Sequence, residues 1–95
     1  MIVIGREILK RKKGPSKALR ARYGHTPLTA AEDIPWSCAR LVIGTGHAGS
    51  LPVLPEVEEE ARRRDVQLVV VPTAEAIEVL NADMKDTNAV LHLTC

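Results

Sequence analysis

Gly44-Thr45-Gly46-His47-Ala48-Gly49 follows directly on an apolar run and matches the spacing of a phosphate-cradling loop, G-x-G-x-x-G. In a dinucleotide site such a loop brings the backbone close to a pyrophosphate, and a following helix N-terminus supplies positive potential. Here Leu51-Pro52 and Leu54-Pro55 delay that helix, and the acid expected about twenty residues on is replaced by Val71-Pro72-Thr73. The pattern therefore argues against a dinucleotide. It leaves a small anion or polar ligand at Gly44, Thr45, Gly46, His47, Gly49 and Ser50, or a plain Gly-rich turn needing unusual φ angles. His47 would supply acid/base or anion-contacting chemistry there, or stand exposed.

Thr73 opens a second helical stretch, either as a ligand contact or as an N-cap. In a parallel sheet both loops fall at the C-terminal edge of the strands, where open α/β sheets bind ligands. Asn81 is expected on the inner side of that helix, bonded to nearby backbone. His92 and Cys95 could form a reactive thiolate if the fold joined them, but positions i and i+3 of a strand face opposite sides. No third orienting group accompanies them. The histidines and cysteines lack metal-ligand spacing, so no metal and no cofactor are expected, and no catalytic residue can be assigned.

Charge is unevenly distributed. Residues 6–22 hold eight of the thirteen Lys and Arg against one acid, Glu7; the remainder sets five against eleven. Lys10, Arg11, Lys12 and Lys13 form a patch able to meet an anionic partner, or to pair with the chain's own acidic body. Nucleic acid would usually add stacking aromatics, and only Tyr23 is near, so a protein partner is favoured.

The elements positioning these residues are legible from periodicity. Ninety-five residues make one domain, with residues 1–22 a basic strand and loop and 40–95 the core. Ile2 to Leu9 reads as a strand or a bent pair with Gly5 as a bulge, and a further short strand is possible around Leu19 to Tyr23. Thr29 can cap a single turn. Arg40–Ile43 and Val66–Val71 are buried strands, and Ala89–Leu93 closes the chain after a turn at Lys85–Asn88.

Between the strands lies a helix opened by Pro52 or Pro55 and running to about Arg64, with Val53, Val57 and Ala61 inward. Its outer face offers Glu58–Arg62, Glu59–Arg63 and Glu60–Arg64, pairs worth roughly 0.3–0.5 kcal/mol each. The second helix has the stripe Ala76, Ile77, Leu80 and Met84. The result is β-α-β-α-β: an α/β domain with a mixed, mostly parallel central sheet in three layers. With no signal sequence, no membrane-length apolar run and two cysteines, the chain reads as cytoplasmic, a monomer or homodimer with free thiols.

Strand-Gly44-Thr45-Gly46, Leu51–Glu56 opening a helix, Thr73-Ala74-Glu75-Ala76 with Asn81, and His92-Leu93-Thr94-Cys95 together resemble the Mth-domain family of unknown function. Gly24-His25 followed by Asp33 is similar to that family's middle section, so the resemblance spans roughly residues 23–95. It implies a three-layer α/β fold with one strand antiparallel. It carries over no catalytic residue, and the family's better-understood members act in protein assembly. The leading expectation is thus an interaction or assembly module; the second is a ligand-binding protein or enzyme using the Gly44–Ser50 and Thr73 edge.

Overall fold

The computed structural model describes residues 1–4, 7–9, 28–29, 32, 34–46 and 51–92. Seven elements follow one another: β1 (Ile2–Ile4), β2 (Glu7–Leu9), β3 (Arg40–Gly44), α1 (Pro55–Arg63), β4 (Gln67–Val71), α2 (Thr73–Ala82) and β5 (Thr87–Leu91). They build one five-stranded sheet in the order β2-β1-β5-β3-β4. β3 runs parallel to β4 and β5, and β1 runs antiparallel to both β5 and β2. The expected mixed, three-layer α/β sheet is what forms, with β1 the reversed strand.

Apolar runs place β3 at the centre. Leu41, Val42 and Ile43 are fully buried, as a strand must be when it is covered on both faces. Their alternation divides the core. Leu41 and Ile43 join Ile2, Val57, Ala61 and Val90 beneath α1, whereas Val42 joins Ala76, Leu80, Ala89 and Leu91 beneath α2. The chain leaves β3 for β4 over one face and returns past β3 to β5 over the other, so right-handed crossovers put the helices on opposite sides.

Pro55 occupies the first turn of α1, where its missing N–H costs nothing, and the helix ends in a Schellman motif. Val66 N–H bonds to Ala61 O and Asp65 N–H to Arg62 O, with Asp65 at φ 55°, a left-handed conformation Asp tolerates. Val53 precedes the helix and pairs with Leu28 in an isolated parallel bridge, so only Val57 and Ala61 of the expected stripe lie buried within α1. Of the three expected i,i+4 pairs, only Glu60–Arg64 forms among the described residues, at 2.7 Å, and Glu60 takes Arg63 as well at 3.1 Å. The Arg64 bond holds the Glu60 carboxyl below the usual carboxylate range. Arg64 also lies over the Trp36 ring, 5.6 Å from its centroid.

The second helix departs from expectation at both ends. Thr73 is its first residue and not its cap, Pro72 being the cap position. The helix stops at Ala82 because Asp83 turns extended and accepts the Lys85 N–H at 2.9 Å on its carboxylate. Met84 is therefore outside the helix, and Ile77 is 44% exposed, because the buried line runs through Ala76 and Leu80 with Val79 beside them. β5 starts two residues earlier than its apolar run, and Asp86 at φ 49° confines the turn before it.

That early start brings two buried polar residues, Thr87 and Asn88, into the strand. Arg40 donates to Thr87 Oγ1 at 3.1 Å and also reaches the Asp83 carbonyl. Asn88 donates its amide to Pro35 O at 3.1 Å and Ser37 O at 3.4 Å, pinning the chain that leads into β3. Burial pushes the Cys38 thiol beside this network above its ordinary value, against the effect of backbone bonds at Asn88 and Arg40. No described helix is long and apolar enough to cross a membrane. The proposed strand near Leu19–Tyr23 and the bulge at Gly5 lie outside the described residues.

Asn88→Ala leaves Ser37 O without its amide donor and Pro35 O with only the weak Cys38 thiol donor, and should cost about 1–3 kcal/mol. Urea unfolding monitored by circular dichroism will show this as a lower midpoint, with a preserved folded baseline.

Candidate functional site

The sheet register sets Gly44, Val71 and Leu91 side by side, so the three parallel strands end at one level. Met1 joins them because β1 is antiparallel: Leu91 N–H donates to Met1 O at 2.7 Å. Above this level the chain leaves β3 through Thr45 and Gly46, and leaves β4 through Pro72 into α2. Adjacent strands β3 and β4 thus send their connections to opposite faces, the arrangement that opens a ligand crevice in doubly wound sheets.

In this protein the crevice is stitched by hydrogen bonds. Thr45 donates both its N–H (2.9 Å) and its hydroxyl (3.2 Å) to Val71 O. Gly46 N–H donates to Thr73 Oγ1 at 2.8 Å, and Thr73 N–H returns a bond to Gly46 O at 3.3 Å. The Thr73 hydroxyl then spends its single proton on His92 O at 2.6 Å, while His92 N–H donates to Gly44 O at 2.9 Å. One hydroxyl consequently ties the ends of β3 and β5 to the start of α2. Leu51 N–H donates to Thr45 O at 2.8 Å.

Two glycines make this stitching possible. Gly46 adopts φ 87°, which L-residues rarely take. At Gly44 a Cβ would fall 2.9 Å from Thr73 Oγ1, 2.9 Å from Leu91 Cδ2 and 3.1 Å from Thr73 Cα. Only a glycine lets α2 begin this close to β3.

The sequence-derived site residues divide accordingly. Gly44, Thr45, Gly46, Thr73 and the backbone of His92 are brought together, and the His92 Nε2 atom is buried at this edge. Asn81 is not among them. It is exposed near the far end of α2, eight residues and about 12 Å along the axis from Thr73, and makes no side-chain bond among the described residues. The inward Asn81 expected from the sequence is therefore corrected: the helix turns Ala76 and Leu80 to the sheet and Asn81 to solvent. His47, Gly49, Ser50, Cys95 and Lys10 to Lys13 lie outside the described residues.

Chemically, the amides of Thr45 and Gly46 point back into the protein, and Thr73 has no proton left to donate. A phosphate seated on these groups would have to displace internal bonds. Among the described residues, no group of three or more His, Cys, Asp or Glu is placed to hold a metal ion. The polar network of Arg40, Thr87 and Asn88 at the opposite end of the sheet was not anticipated, although an Asn and a Thr just ahead of an apolar strand are its signal.

What this geometry defines is a class: a small α/β domain whose central parallel strands are capped by a hydroxyl-centred rim. No protein-family model matches the chain. No curated protein matches it either. Among solved structures it is similar to a conserved hypothetical protein from Pyrococcus horikoshii OT3, with a TM-score of 0.73 and 26% identity over 99% of this chain and 81% of that one.

Thr73→Val leaves the Gly46 N–H and the His92 carbonyl without their bonds and should cost about 1–3 kcal/mol, whereas Thr73→Ser keeps both and should cost far less. Gly44→Ala should also destabilise, by about 1–3 kcal/mol, through overpacking against Thr73. Urea midpoints of the three variants provide the comparison.

Proposed function

We propose that this chain is a protein-binding module of the assembly type, whose partner docks on the β1–β2 hairpin at one border of the sheet. The observation that carries the reading is the apolar surface of that hairpin. Ile4 is 38% exposed, Ile8 66% and Leu9 46%, on strands paired Ile4 to Glu7 and Val3 to Ile8. Ile4 and Leu9 share the face of Ile2, and Ile8 lies on the opposite face beside Val3, so this border is apolar on both sides of the sheet. Leu9 leads directly into Lys10-Arg11-Lys12-Lys13, so an apolar contact and a basic one are contiguous in the sequence. An acidic protein surface with an apolar centre fits both. The resemblance to the Mth-domain family, with its assembly-related members, supports the same reading.

The second reading, a small polar ligand or anion at the C-terminal edge of β3 and β4, is favoured by the convergence of Gly46, Thr73 and His92. It has to contend with bonds that these groups already make to one another. Native mass spectrometry of the freshly purified protein separates the readings: an added mass lost on denaturation would favour the ligand.

Ile8→Glu, at an exposed position, should leave the unfolding midpoint unchanged while removing a protein that co-purifies with the wild type. Charge reversal at Lys10 to Lys13 should weaken the same association. An identical set of co-purified proteins with wild type and both variants would overturn the proposal.

A further inference from the structure

The opposite border of the sheet is β4, Gln67-Leu68-Val69-Val70-Val71. Edge strands are normally blunted by charge, proline or a bulge, because their outer main-chain groups invite pairing. β4 carries none of these, and Val70 is 42% exposed. The ladder shows which groups are on offer. Gln67 N–H bonds inward to Ala39 O, and Val71 O accepts inward from Thr45 N–H. Residues 67, 69 and 71 thus face β3, and Leu68 and Val70 turn their N–H and C=O outward.

We propose that this edge pairs antiparallel with the same edge of a second copy of the chain, about a two-fold axis at Val69. The register follows from the geometry. With Val69 opposite Val69 of the second copy, Leu68 falls opposite Val70 of that copy, and both are outward-facing residues. Each pair exchanges both main-chain bonds, and the inward-facing residues oppose one another at the positions that need none. An axis at Leu68 would set Val70 opposite Val66, whose N–H is already committed to Ala61 O, and an axis at Val70 would set Leu68 opposite Pro72, which has no N–H, so either shift leaves outward groups unmatched.

Charge selects a second copy over an arbitrary extended peptide. An open groove of about 350 Å³ flanks this edge, lined by Glu58, Ala61, Arg62, Val66, Leu68 and Val70. α1 runs antiparallel to β4, so Arg62 lies toward the start of the strand and Glu58 toward its end. The two-fold axis therefore sets Glu58 of each copy beside Arg62 of the other. Both are exposed, and neither forms an ion pair among the described residues, the helix's own pairs being centred on Glu60. The surface is self-complementary, as an isologous interface requires. It lies at the other end of the sheet from the β1–β2 hairpin and does not depend on the function proposed for that hairpin.

Sedimentation equilibrium across a concentration series tests this. The wild type should dimerise reversibly. Val70→Pro should be monomeric yet folded, because the N–H it loses faces away from β3 and proline is tolerated on such edges. Glu58→Arg and Arg62→Glu should each weaken the dimer about tenfold, and the double exchange should restore it to within about threefold of wild type. A monomeric wild type, a dimer indifferent to Val70→Pro and to both single reversals, or a dimer abolished by Ile8→Glu would overturn the proposal. If Val70→Pro unfolds, the reversals and their rescue decide the question.

Discussion

The position of Thr73 in the space that a side chain at residue 44 would need is the contact on which the upper half of the molecule depends. A helix can start directly above a parallel strand only if the strand end is bare, and Gly44 supplies that bareness. Once α2 begins there, its first hydroxyl reaches both the turn after β3 and the carbonyl beyond β5. The three parallel strands are then locked at a common height, and the two hydrophobic layers close on either side of β3. Glycine at 44, left-handed glycine at 46 and threonine at 73 act as one unit, and no member would keep its geometry without the other two.

The same unit gives a physical meaning to a loop that reads by spacing as a phosphate cradle. Glycines spaced in that pattern allow a close backbone approach, whatever it is that approaches. Here it is a helix start and its hydroxyl, and the amides that could have met an anion are turned to Val71 and Thr73. The opposite end of the sheet has its own polar closure in Arg40, Thr87 and Asn88, so the fully buried β3 is bracketed by hydrogen bonds at both ends.

Much of this was legible in the sequence, for identifiable reasons. Arg40–Gly44 and Gln67–Val71 are built on the short apolar runs Leu41–Ile43 and Leu68–Val71, and Pro55 with the glutamate-rich first turn marks a helix start. Local periodicity resolves such elements. It cannot resolve which of several apolar residues a helix turns inward: the stripe through Ile77 and Met84 leaves out Val79, which packs on the buried layer while those two are exposed. Nor does it reveal that Asp65 would end a helix as glycine usually does, or that Glu60 would gather both arginines. The convergence of the Gly44 and Thr73 loops followed from parallel topology alone; the bond that joins them depends on a hydroxyl's direction, which spacing does not encode.

The pairing of β1 with β5 has a consequence for how the chain reaches this structure. β5 lies between the β1–β2 hairpin and the β3–β4 pair, so the hairpin has no neighbour to join until the last strand is in place. The β1–β5 pairing, which sets Ile2 opposite Val90, spans most of the chain, and loop closure over such a distance is slow relative to local pairing. Among the described strands β5 stands latest in the sequence yet lies inside the sheet, so the two halves cannot be joined through the sheet before it is in place.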